Sequence, residues 1–209
     1  MVAAAVAVAG SANAAVAFDS FTVTQSESNL PGPIPGINWA SPASSQPIFG
    51  ASGTRAAFAY NYGGAGSTTS SVSGGTATFT TTTSGGAGAG LYYSGDAQDL
   101  TGYTFSFFLN SNVVTDGQLG FVWEMESAGG GYLPYTVNYT GVGTYTIDLS
   151  TLAALDPTAI DLTAITSITI SINTESAGSA TVSNFTYTPA PGALALLGVA
   201  GLAARRRRA

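Results

Sequence analysis

Glu124 and Glu126, in the stretch "FVWEMES", are the nearest this chain comes to a pair of groups able to do acid–base chemistry. In a β-strand, residues i and i+2 share a face, so the two carboxyls would stand together, as a glycosidase requires of the pair that flanks its scissile bond. Nothing around them extends that arrangement. The chain has no Cys and no His, and all five of its basic residues are arginines. That excludes Ser-His-Asp and Cys-His nucleophile systems, a Schiff-base lysine, the lysine-dependent phosphate loop and every His or Cys zinc site. The glutamates read better as solvated acids on the outer side of a strand, and the chain is not expected to be an enzyme.

A second chemistry suits the composition better. Sugars present apolar C–H faces that stack on aromatic rings, and their hydroxyls seek carboxylates and amides. Trp123 alternates with Phe121 and Met125 and is assigned to the core. Trp39 falls in a polar tract, while Tyr132, Phe108, Glu124 and Arg55 fall on the parity opposite the core, so these five are the candidate sugar contacts. Nucleic acid is excluded as a partner. Residues 15 to 189 hold Arg55 as their one base against eleven acids, a net charge of −10 that repels phosphate. "GGAGAG" at 85 to 90 is followed by "LYYSG" rather than by a helix, so it is read as a flexible connection between strands and not as a phosphate loop.

The elements that must position these residues are strands. "GYTFSFFLN" puts Tyr103, Phe105, Phe107 and Leu109 on one face; "TYTIDLS" and "ITSITISIN" alternate in the same way. Further strands are expected at 21–25, 54–61, 75–83, 132–139 and 180–188, with a helical turn at "LSTLAALDP". The tract 31–50, with its prolines, is expected to be a long surface loop. Many short strands separated by Gly-rich and Ser-rich turns argue for an all-β antiparallel β-sandwich of the jelly-roll kind.

The two ends differ from this middle. Val2 to Ala9 is apolar and leads to Ala12-Asn13-Ala14, the pattern of a secretory signal peptide ending near residue 14. At the other end Pro189, Ala190 and Pro191 precede Gly192 to Ala204, an uncharged run that as a helix would span roughly 20 Å, short of the ~30 Å hydrocarbon core. Arg205, Arg206, Arg207 and Arg208 follow and favour the cytoplasmic side. The order of proline motif, short apolar helix and arginine cluster resembles the PEP-CTERM sorting signal. That resemblance implies export, transient anchoring in the inner membrane of a Gram-negative bacterium by the C-terminal helix, and cleavage by an exosortase; short hydrophobic helices are expected at both termini. The expected organisation is a signal segment at 1–14, a sandwich domain at 15–188 and a sorting signal at 189–209.

The middle also resembles a known family. "AFDSFTV", "GTRAAFAYNY", "DLTGYTFSFFL", "GTYTIDLSTL", "DLTAITSITISIN" and "ATVSNFTYT", in that order, are similar to the galactose-binding-like jelly rolls of carbohydrate-binding modules. The resemblance implies a polysaccharide partner and a structural calcium to which Asp19 and Asn184 would contribute, although calcium needs six to eight oxygens; no other cofactor is expected. Turn capping is the competing role for Asp19. Two functions follow as expectations: a carbohydrate-binding module at the cell surface or in an exopolysaccharide matrix, or a structural matrix and biofilm adhesion protein with no ligand pocket.

Overall fold

The computed structural model describes residues 14–29, 36–43, 47–62, 66–82, 85–112, 121–137, 141–156 and 158–189. The signal segment and the sorting signal beyond Pro189, with the terminal helices expected there, lie outside the described residues. Among those that are described, no helix is long and apolar enough to cross a membrane.

The described chain forms two antiparallel sheets stacked face to face. Its strands are β1 (Val16–Asp19), β2 (Gln25–Asn29), β3 (Gly36–Trp39), β4 (Thr54–Asn61), β5 (Thr68–Ser73), β6 (Thr76–Thr81) and β7 (Ala87–Gln98). They continue with β8 (Thr104–Asn112), β9 (Phe121–Ser127), β10 (Tyr132–Val137), β11 (Gly143–Asp148), β12 (Ile165–Thr174) and β13 (Gly178–Thr188). One sheet runs β11-β8-β13-β6-β5-β2, with β1 pairing the C-terminal half of β13; the other runs β10-β9-β12-β7-β4-β3. The chain crosses repeatedly between the layers, so the fold is the expected all-β sandwich.

Alternation decides what fills the space between the layers. Phe105, Phe107 and Leu109 of β8 meet Phe121, Trp123 and Met125 of β9 and Ile168, Ile170 and Ile172 of β12, all buried. Phe185 stands among Phe18, Tyr93, Phe105 and Trp123 with ring centroids 4.5–6.0 Å apart. Edge-on and tilted contacts of this kind add to the area that the rings bury. Trp123 is thus a core residue, as its parity requires.

Short signals set the turns. β5 and β6 are joined through Gly74 and Gly75, whose φ values of 55° and 86° fit the two-residue hairpin turn that side chains resist. Asp148 caps the single helical turn α1 (Leu149–Ala153), accepting from the N–H groups of Ser150 at 2.9 Å and Thr151 at 3.2 Å.

Three expectations need correction. The strand placed at 21–25 is mostly the irregular link between β1 and β2, with only Gln25 in a strand, because Phe21 takes a φ of 54° and turns into the core. The tract read as a surface loop holds the edge strand β3, where proline-flanked segments are tolerated, and a 3-10 segment, Pro47–Ser52, that buries Ile48 and Phe49. The "GGAGAG" connection opens β7, a twelve-residue strand between β12 and β4.

Candidate functional site

The outer face of the six-stranded sheet carries the side chains that parity turns away from the core. Across it, from one edge to the other, stand Ile37 and Trp39 (β3), Phe58 and Tyr60 (β4), Tyr92 (β7), Thr169, Ser171 and Asn173 (β12), Val122, Glu124 and Glu126 (β9), and Tyr132 (β10). Five inter-strand steps separate β3 from β10, about 24 Å at ~4.8 Å per step. Large side chains stand at the two edges and small ones in the middle, which leaves an open groove of about 380 Å³.

Two buried glycines of β7 set how the rings beside the groove lie. Gly88 lies opposite Tyr60 and Gly90 opposite Phe58 in the β4–β7 register. A Cβ at Gly88 would fall 2.4 Å from the Cζ and hydroxyl of Tyr60, and one at Gly90 would fall 2.7 Å from the Cζ of Phe58. Without side chains there, the two rings lie across β7 instead of standing up from β4. They are stacked, 4° from parallel with centroids 6.5 Å apart. Tyr62 continues the tract beyond Tyr60 at 5.0 Å, and Trp39 continues it beyond Phe58 at 5.1 Å; Trp39 also meets Tyr92 edge-on at 5.7 Å. Trp39 is 50% exposed and Tyr132 47%, so both offer ring surface to a ligand.

Polar groups are fixed among these rings. The Tyr132 hydroxyl donates to Glu124 Oε1 at 2.6 Å, Ser167 Oγ donates to Glu126 Oε2 at 2.8 Å, and the Tyr92 hydroxyl reaches the same oxygen at 3.4 Å. Burial, then the bond to Glu124 and the charges of Glu124 and Glu126, push the Tyr132 hydroxyl well above the usual tyrosine range. Burial is also the main reason that the Tyr60 hydroxyl is pushed up, with Tyr62 and Glu124 adding to it. These phenols therefore stay neutral and act as donors throughout the physiological range. Ring faces flanked by carboxylates, hydroxyls and the Asn173 amide can stack on a sugar and accept from its hydroxyls. The two carboxylates are positioned by neutral hydroxyl donors.

Three of the five expected sugar contacts, Trp39, Glu124 and Tyr132, come together in this groove. Phe108 stands on the outer face of the other sheet, next to Ser106 and Asn110 in alternation. Arg55, expected to face outward, shares the inward parity of Ala57 and Ala59 and is fully buried. Its guanidinium donates to Asp19 Oδ2 at 2.7 Å, to the Val23 carbonyl at 2.6 Å and to Gln25 Oε1 at 3.2 Å. Asp19 also accepts from the Phe21 N–H at 2.7 Å and from the Tyr93 hydroxyl at 3.1 Å. An arginine therefore already neutralises the carboxylate proposed for calcium, while Asn184 lies exposed at a bulge with a φ of 52°. No group of three or more acidic, His or Cys side chains able to hold a metal occurs among the described residues.

Phe58, Tyr60, Tyr92, Ser171 and Asn173 were not foreseen as site residues. A signal for the first two exists in "AFAYNY", where Phe58, Tyr60 and Tyr62 recur at every second position with Ala59 between Phe58 and Tyr60.

No family model matches this chain, and no curated protein does. Among solved structures, the chain is similar to a family 11 carbohydrate-binding module from Clostridium thermocellum in complex with a beta-1,3-1,4-mixed-linked tetrasaccharide. The two share 17% identity over 86% of this chain and 98% of that one, with a TM-score of 0.47. A family 11 module of a cellulosomal cellulase from the same bacterium gives 16% identity, 86% and 97% coverage and a TM-score of 0.46. An exo-beta-agarase gives 15% identity over 55% of this chain and 20% of that chain, with a TM-score of 0.41.

Proposed function

We propose that this chain is a non-catalytic carbohydrate-binding β-sandwich whose sugar chain lies in the groove, crossing the strands of the six-stranded sheet. The observation that carries the reading is the aromatic tract Tyr62-Tyr60-Phe58-Trp39-Tyr92 facing Tyr132 and Glu124 across a floor of small residues. Exposed rings with fixed carboxylates are what sugar stacking needs. A glycan array, run with and without calcium, tests it. Wild type is expected to retain a set of glycans that Trp39→Ala loses; no retained glycan above background for wild type would end the proposal.

One observation favours a second reading, adhesion without a pocket. The outer face of the seven-stranded sheet is covered by Ser26, Ser28, Thr69, Ser71, Thr76, Thr78, Thr80, Thr181 and Ser183, all uncharged. Thr78 and Thr181 bond across strands at 3.2 Å, and the Asn110 amide donates to Ser183 at 3.1 Å. Such a hydrated hydroxyl surface suits a matrix component, and an array that retains nothing would leave this reading in place.

The order of terminal segments in the sequence supports export followed by exosortase cleavage near Pro189 and Pro191, placing the domain at the cell surface or in an extracellular matrix. Intact masses of the protein recovered from cells and from medium test it. The expected products lack residues up to about Ala14 and beyond about Pro191; a C-terminus left whole in both fractions would refute the sorting step.

A further inference from the structure

Charge gives the groove a preference that shape alone does not. Glu124 and Glu126 both line it, and among the described residues the hydrogen bonds their carboxylates accept come from neutral hydroxyls: Tyr132, Tyr92 or Ser167. Hydroxyl donors orient a carboxylate without cancelling its charge. The one base among the described residues, Arg55, lies on the opposite face of the sheet, buried and committed to Asp19, Gln25 and Val23. The groove thus presents two negative charges with no counter-charge beside them among the described residues. Its aromatic walls add to this, because ring faces carry the negative end of the quadrupole and attract cations. Tyr132 and Tyr92 touch the carboxylates directly, and Tyr60 and Trp39 line the same groove farther across the sheet. Carboxylates among ring faces attract an organic ammonium and repel a second carboxylate or a sulfate.

We propose that the groove sorts glycans by charge. It takes chains whose sugars carry free protonated amines in preference to neutral chains of the same linkage, and it rejects chains bearing uronate or sulfate groups. The inference rests on the sugar-binding reading above and extends it to a ligand class. The ammonium of a sugar lying over Tyr92 or Tyr132 sits between Glu124 and Glu126, while sugars farther along the chain stack on Tyr60 and Trp39.

Calorimetric titration of the full chain with three tetrasaccharides tests this: β-1,4-linked glucosamine, its fully N-acetylated counterpart and a galacturonate. Below the titration of the sugar amine, glucosamine is expected to bind about three- to tenfold more tightly than the acetylated chain, as partly exposed ammonium–carboxylate and ammonium–ring contacts allow. Galacturonate is expected not to bind. Above that titration the preference should vanish. In Glu124→Gln/Glu126→Gln, with folding checked by near-UV circular dichroism, the ratio of the two affinities should fall to about one.

Equal or tighter binding of the acetylated chain overturns the charge preference and leaves the sugar-binding reading standing. A preference that persists in the double variant assigns it to the overall negative charge and also overturns the proposal, as does tight binding of galacturonate. Absence of binding by all three, with an empty glycan array, removes both readings together.

Discussion

Gly88 and Gly90 lie two residues apart on the same face of one strand, yet alanine at the two positions should have opposite consequences. At Gly88 the new methyl would meet the far end of one side chain, Tyr60, at 2.4–2.5 Å. Ordinary contact is 3.4–4 Å, so the ring must withdraw by about 1 Å, which a rotation of roughly 10° about its own torsions provides. That strain is below about 1 kcal/mol, and loss of glycine's freedom in the unfolded chain offsets it by about 0.4–1 kcal/mol. Stability should therefore stay within about 1 kcal/mol of wild type, while the displaced ring changes the groove.

At Gly90 the methyl would meet the Ile170 carbonyl oxygen at 2.4 Å and Ser171 Cβ at 2.5 Å, as well as Phe58 at 2.7 Å. The backbone of β12 cannot rotate away, because it is hydrogen-bonded to both β7 and β9. Overpacking of this kind costs about 3 kcal/mol, which in a domain of this size lowers Tm by roughly 6–12 °C. Urea denaturation and thermal melts of both variants check the difference. Adding Phe58→Ala should not restore Gly90→Ala, since the carbonyl contact remains. A Gly90→Ala protein that melts with wild type, or a Gly88→Ala protein as damaged as Gly90→Ala, would refute the difference between a yielding ring over Gly88 and a fixed backbone against Gly90.

Other predictions concern the buried network and the tyrosines. Arg55→Met strands the Asp19 carboxylate and should cost about 3–5 kcal/mol in urea denaturation; a cost under 1 kcal/mol would mean that the pair is dispensable. Because Arg55 already neutralises Asp19, millimolar calcium or a chelator should move Tm by less than about 1 °C, and a larger rise with calcium would point to a site elsewhere. Burial, reinforced by Asp19, pushes the Tyr93 hydroxyl well above the usual range. Its folded pKa therefore exceeds its unfolded one, so the stability it contributes is complete below about pH 10 and is lost as pH rises beyond that value. Melts from pH 8 to 11 should fall less steeply for Tyr93→Phe than for wild type, and parallel curves would count against this account.

Much of the sandwich is legible in the sequence because a half-buried strand writes its two environments into alternate residues. β8, β9, β11, β12 and β13 could be read in this way. β7 could not, since its first half alternates Ala with Gly, and neither residue advertises burial; it is a strand because it pairs with both β4 and β12, and its glycines leave room for Phe58 and Tyr60. Arg55 misled for a related reason. Parity assigns a face, and a charged residue is expected to take the wet one, but here Asp19, thirty-six positions earlier in the chain, supplies the counter-charge that permits burial.

The sequence by itself determined the class of fold. Its composition excludes most catalytic machinery, its charge excludes nucleic acid, and its alternation requires stacked sheets. Only the tertiary structure decided the site, because a groove across six strands is assembled from residues that span positions 37 to 173 and is never contiguous in the chain. Strand order, set by long-range pairing rather than by local pattern, is what brings Trp39, Tyr60, Glu124 and Tyr132 onto one surface.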